Sequence, residues 1–150
     1  MPEKSEIVKI FEIAAREAGK LIIEQFGKIS EAKIQSKDLG DFVTTTDLET
    51  ENILLKVLKQ HFPYSSYITE ESDPFKGNEE TIVIDPIDGT TNFIHGLPAV
   101  GIVIGRIYKT EITDGIIFNP ILDEFYFATK GKGSWCNGNK LMVSKKKDIS

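Results

Sequence analysis

The chain has 150 residues, 40% hydrophobic and 27% charged, with a formal net charge of −5 at pH 7. That length supports one domain with a real core and is short for two, and an acidic balance without a basic stripe argues against nucleic acid as a partner. The single cysteine, Cys136, excludes an internal disulfide framework and suits a reducing compartment. The N-terminal stretch scatters its charges and has no leader-like apolar core. The longest apolar run, around residues 99–105, falls far below the roughly 20 residues that cross a bilayer. The expectation is a cytoplasmic protein that makes no use of a membrane.

Ile7, Ile10, Phe11, Ala14, Ala18, Leu21, Ile22 and Phe26 recur at spacings of three and four, which is one face of a helix. The pattern predicts a helix over about 4–26, with Gly27 as its C-terminal stop. A short alternating piece follows at 33–37, then a Gly-containing bend and Phe42-Val43-Thr44-Thr45. Thr46-Asp47-Leu48-Glu49 matches a capping box, a Thr followed three residues later by Glu. It predicts the start of a second helix carrying Leu54, Leu55, Leu58 and Phe62, ended by Pro63.

From residue 65 the period becomes two, with strand-like runs at 65–69, 81–85, 99–109, 112–119 and 124–129. Turn chemistry separates them at Asp73-Pro74, Lys109-Thr110-Glu111 and Asn119-Pro120, and Asn137-Gly138 signals a hairpin. Two helices followed by a meander of antiparallel strands gives an α+β layer, read as one domain over residues 1–150.

The acidic residues that matter stand at the ends of these predicted elements. Asp47 opens the second helix, Glu70-Glu71 ends the strand Tyr67-Ile68-Thr69, Asp85 ends the strand 81–84, and Asp88 lies in the turn after it. Hard divalent cations such as Mg²⁺ take oxygen ligands near 2 Å and usually keep several waters. Pro86 stiffens the turn, so Asp85 and Asp88 can aim at one point in front of the strand. Gly89 lets backbone approach a ligand, and a helix beginning at Thr90 offers N–H groups to an anion. A phosphate lying there could bridge metals held by Asp85, Asp88 and Glu70. The same ten residues, IDPIDGTTNF, also suit an ordinary strand-to-helix turn, and each acidic residue taken singly reads as a cap or as solvated charge.

The ordered set decides between these readings, because the chain resembles the inositol monophosphatases, within the metal-dependent, lithium-sensitive phosphatases. The matching stretches are DFVTTTD (41–47), ITEES (68–72), VIDPIDGTTNFIHGLP (83–98), GIIFNP (115–120) and GKGSWCNG (131–138). The resemblance implies a sugar-phosphatase-like fold, two N-terminal helices packed on an antiparallel sheet, and a homodimer. It implies two or three Mg²⁺ ions: Glu70, Asp85 and the Ile87 carbonyl would hold the first, and Asp85 and Asp88 part of a second. Glu70, with Asp47 and Thr90, would orient and activate the attacking water. Ile87, Asp88, Gly89 and Thr90 would contact the substrate phosphate, chiefly through the Gly89 and Thr90 N–H groups, with Lys37 near the site. His95, Trp135 and the Gly131/Gly133 pair carry no chemistry in this reading.

The implied activity is hydrolysis of a small phosphate monoester, inositol monophosphate first. The alternatives are a sibling substrate (fructose 1,6-bisphosphate, a 3′-phosphoadenylate, NADP) or a non-catalytic metal- and phosphate-binding unit. The second alternative arises because family members carry a further α/β domain with a Trp-Asp…Ala-Gly motif, whose aspartate completes the second metal site, and this sequence contains no Trp-Asp pair. Without that layer, apolar surface on the sheet is expected to lie open.

Overall fold

The computed structural model describes residues 2–31, 36–70 and 79–148, and their side chains outside 29–31 and 36–39. The first helix, α1 (Glu6–Glu31), starts where the Ser5 hydroxyl oxygen accepts the Val8 N–H at 3.1 Å. It runs past Gly27, where an added Cβ would meet nothing within 4 Å. A solvent-facing glycine costs a helix only about 1 kcal/mol, so it slows but does not stop propagation.

The second helix differs more from expectation. One element, α2 (Ser36–His61), runs through the predicted bend and through the predicted cap. Residues 32–35, which hold most of the alternating piece, lie outside the described residues. Thr46 does not cap: its hydroxyl donates to the Phe42 carbonyl at 2.9 Å, one turn back. Thr44 and Thr50 do the same, to Gly40 at 3.0 Å and Thr46 at 2.7 Å. Threonines that bond the i−4 carbonyl sit within a helix rather than at its start. Val43, Thr46, Thr50, Leu54 and Leu58 are all buried, and that shared face continues the helix backwards from Leu54.

The strands β1 (Ser66–Ile68), β2 (Glu80–Asp88), β3 (Gly101–Tyr108), β4 (Glu111–Asn119), β5 (Glu124–Thr129), β6 (Ser134–Cys136) and β7 (Asn139–Lys140) form one sheet in chain order. A short helix, α3 (Thr90–Ile94), lies between β2 and β3. Every neighbouring pair is antiparallel except β1 and β2, which pair in parallel and so correct the expected all-antiparallel meander. Parallel pairing needs a longer crossover than a hairpin, and the connection 69–79 supplies it. The predicted Asp73-Pro74 turn lies in that connection, outside the described residues. Asn137 and Gly138 close the β6–β7 hairpin with φ of 46° and 83°, as the two-residue hairpin turn demands.

Helix α1 covers β3, β4 and β5, and α2 covers β2. Between them lies the core: Val8, Phe11, Ala14, Ala18 and Ile22 from α1 meet Ile82, Ile102, Ile104, Ile116 and Phe118 from the sheet. Gly19 sets the spacing of that contact, since a Cβ there would stand 2.8 Å from Phe118 Cε1 and 3.1 Å from Pro120 Cβ. The N-terminus of α1 is also tied electrostatically. Buried Asp114 accepts the Ser5 hydroxyl at 2.8 Å and the Thr129 hydroxyl at 3.1 Å, and Arg106 lies 3.8 Å from its other oxygen. Arg106 also pairs with Glu80 at 2.5 Å, and the Ser65 hydroxyl bonds the same Glu80 carboxylate.

The other face of the sheet has no layer among the described residues. Val83, Val103, Ile107, Ile112, Ile117 and Tyr126 surround an open hollow of about 540 Å³ floored by Gly105, Gly115 and Ala128. This is the exposed apolar surface that the sequence led us to expect.

Candidate functional site

The site grows from the far end of β2. Ile82 and Ile84 point into the core, so alternation sets Val83 and Asp85 on the opposite side. Pairing with β3 then slips: Asp85 faces Val103 but Asp88 faces Gly101, which leaves one extra residue on β2. Buried Pro86, with no N–H to give the ladder, sits inside this bulge. Asp88 is therefore carried at the end of a bulged strand, where a free turn was predicted.

Asp85 sits in surroundings that disfavour its charged form. Its Oδ1 is buried without a hydrogen-bond partner. Its pKa is pushed up, first by burial, then by the negative charges of Asp88 and Glu70, against a bond from the Ile87 backbone that lowers it. Asp88 and Glu70, both exposed, thus each stand within electrostatic reach of Asp85. Among the described residues, no three His, Cys, Asp or Glu side chains close around one point as a metal cage. The donor set fits a hard cation that retains waters and accepts backbone oxygen, and the orphaned Asp85 oxygen is the clearest vacancy in hydrogen bonding for it.

Beyond the carboxylates, Gly89 adopts φ 90° and ψ 38° and precedes α3 without a side-chain cap. Only glycine fits there, because a Cβ would lie 2.6 Å from the Ala99 carbonyl oxygen as well as adopting a left-handed φ. The Thr90 hydroxyl reaches the Ile87 carbonyl at 3.3 Å, which links two of the predicted site residues directly. With five residues, α3 carries little macrodipole, so the anion-binding capacity expected of this turn rests on the backbone N–H groups of its first turn alone.

Asp47 lies in the middle of α2, not at a helix start. It is half-buried and comes from the helix that packs against both β2 and α3. The back-bonded threonines explain the change: the helix begins earlier, so Asp47 is presented from a rigid interior turn. The Lys37 side chain lies outside the described residues, as does Glu71. His95 is exposed and ends α3, with its N–H on the Thr91 carbonyl at 3.1 Å. Trp135 is half-buried on β6, between β5 and β7, with its indole N–H on the Lys132 carbonyl at 3.2 Å.

Two asparagines were not singled out by sequence reasoning. Asn92 donates to the Ala99 carbonyl at 2.8 Å, and Asn119 donates to the Pro98 carbonyl at 2.7 Å. The Asn119 Oδ1 also accepts the Ile121 and Leu122 N–H groups, at 3.0 and 3.1 Å. Asn119-Pro120 stands in the sequence as a turn signal and as part of the matching stretch GIIFNP, and neither reveals its reach across to residue 98.

A helix pair on a mostly antiparallel sheet, whose bulged second strand ends in Asp85, Asp88 and a Gly-Thr turn, defines a layered α+β protein. The sequence pattern of the inositol monophosphatase family matches residues 3–150, and the chain belongs to that family. Inositol monophosphatase 1 of Rattus norvegicus is 40% identical over 145 residues, covering 92% of this chain and 51% of the relative. Inositol monophosphatase 3 of Solanum lycopersicum is 39% identical over 141 residues, covering 91% and 52%. Among solved structures, the extragenic suppressor protein suhB of Bartonella henselae superposes with a TM-score of 0.83 at 30% identity, over 95% of this chain and 56% of that one. An IMPase of Thermotoga maritima gives 0.77 at 26%, over 94% and 55%. The chain spans about half the length of the relatives it matches.

Proposed function

We propose that this chain carries the metal- and phosphate-binding part of a Mg²⁺-dependent phosphomonoesterase whose substrate is inositol monophosphate. The observation that carries the reading is Asp85: a buried carboxylate oxygen without a hydrogen-bond partner, on a group whose pKa is raised first by burial and then by Asp88 and Glu70. Such a group is stabilised by a cation and costly without one.

Asp85, the Ile87 carbonyl and Glu70 would hold the first ion in this reading, and Asp85 with Asp88 would hold part of a second. Bound Mg²⁺ would supply charge neutralisation on the phosphoryl oxygens and a lowered pKa for water. The chain's own residues do the rest. Glu70, with Asp47 and Thr90, orients the attacking water and takes its proton. Gly89 and Thr90 N–H groups hold the phosphate in line, which is most of what phosphoryl transfer asks of a protein. Lys37 contributes positive charge near the phosphate. Activity in a cytoplasmic homodimer, and inhibition by lithium, belong to the same reading. No helix among the described residues is long and apolar enough to cross a membrane.

Assay of the chain with inositol 1-phosphate and Mg²⁺, beside Glu70→Gln, tests this. Turnover that both the substitution and lithium abolish supports the enzyme. Metal binding without turnover supports the second reading, a binding unit. The ligand assignment has its own test by Mg²⁺ titration. Asp85→Asn should weaken all Mg²⁺ binding, whereas Asp88→Asn should spare the first site. Equal losses would rule out Asp85 as the shared ligand.

A further inference from the structure

We infer that Asn92 and Asn119 are positioning residues: together they clamp the 98–99 backbone behind Gly89 and so fix the Gly89–Thr90 turn that the proposed function assigns to phosphate. The inference rests on that assignment and adds residues to it. Two side-chain hydrogen bonds and one close backbone approach meet here. Asn92 holds the Ala99 carbonyl at 2.8 Å, and Asn119 holds the neighbouring Pro98 carbonyl at 2.7 Å. The Ala99 oxygen is also the atom that a Cβ on Gly89 would meet at 2.6 Å. The Gly89 turn therefore rests directly against a carbonyl whose place is set by a side-chain amide.

Each asparagine is itself fixed. Asn92 stands on α3, one helical turn from Gly89, whose carbonyl accepts the Phe93 N–H at 3.0 Å. Asn119 is nine-tenths buried at the end of β4, and its Oδ1 is held by the Ile121 and Leu122 N–H groups. That leaves its amide N–H pointing at residue 98 in a single orientation. The Leu97 N–H on the Asn92 carbonyl, at 2.8 Å, closes the 92–99 loop from the backbone side. An amide is the right chemistry: a carboxylate of the same shape has no hydrogen to give and would repel the Ala99 oxygen.

The deciding variant is Asn92→Asp, which keeps the volume and removes the donor. Asn92→Ala accompanies it, and Asn119→Ala forms a third variant because its burial puts folding at greater risk. Each is checked for an unchanged circular dichroism spectrum, then read by amide exchange at Gly89 and Thr90 and by titration with inorganic phosphate in saturating Mg²⁺. Faster exchange at both amides is expected, with phosphate affinity lowered about three- to tenfold in Asn92→Ala and more in Asn92→Asp. In any active preparation the loss should appear in KM with kcat little changed. A folded Asn92→Asp protein that exchanges and binds phosphate like the parent overturns the clamp alone. A parent chain that binds no phosphate in Mg²⁺ overturns the phosphate assignment and the clamp's role with it.

Discussion

Ile104 and Val103 are adjacent on β3, yet Ile104 is wholly buried beneath the helices while Val103 is only half-buried on the open face. The same contrast holds on β4, where Ile116 is 2% exposed and Ile117 is 49% exposed. Alternation tells which residues share a face, but it does not say which face receives a layer. Both faces of this sheet are apolar enough to be covered, and only one is covered by the chain described. Apolar patterning on a strand therefore records how many layers a sheet is built for, not how many a given length of chain supplies.

The largest test of that contrast lies in the core. Phe11→Ala should lower unfolding stability by about 3–5 kcal/mol in urea denaturation, since the side chain is fully buried among α1, α2 and the sheet. Ile117→Ala on the open face should cost about 1 kcal/mol or less, because half of that side chain already meets water. Comparable losses from the two substitutions would mean that something covers the hollow in solution.

The smallest test uses pH. Asp85 follows Val83 on the less protected side, and its folded pKa is raised, first by burial and then by Asp88 and Glu70. A carboxyl with a raised folded pKa binds its proton more tightly in the folded state than in the unfolded one. Its contribution to stability is thus present in acid and is lost as pH rises through the folded value. Without divalent cations, Asp85→Asn should flatten this decline and leave the protein at neutral pH no less stable than the parent. A steeper decline in the variant would contradict the assigned cause.

Much of the fold was legible in the sequence for one reason: long periodic segments announce themselves. The 3.6-residue period of α1 and the two-residue period of β2 to β5 gave those elements to within a few residues. The start of α2 was missed because the capping box at Thr46 is a local signal, while the helix is set by a buried face that reaches back to Val43. The parallel β1 was missed because strand direction depends on the crossover and not on the strand's own residues. At the candidate site, the acidic residues and Gly89 were readable because their types are chemically distinctive. Asn92 and Asn119 were not, since nothing local in either residue reveals a carbonyl seven or twenty-one positions away.

The strict chain order of the sheet has a consequence in time. Each strand meets the one before it, so the meander can assemble by closing short loops. Helix α1 cannot: Ser5 must find Asp114, and Arg16 must find Asp123, across 109 and 107 residues of sequence. Hairpin closure takes microseconds, whereas long-range docking waits for its partners to exist. Substitutions within β3–β4 should therefore slow refolding, while Ser5→Ala should chiefly speed unfolding, because the N-terminal helix is latched only after the sheet has formed.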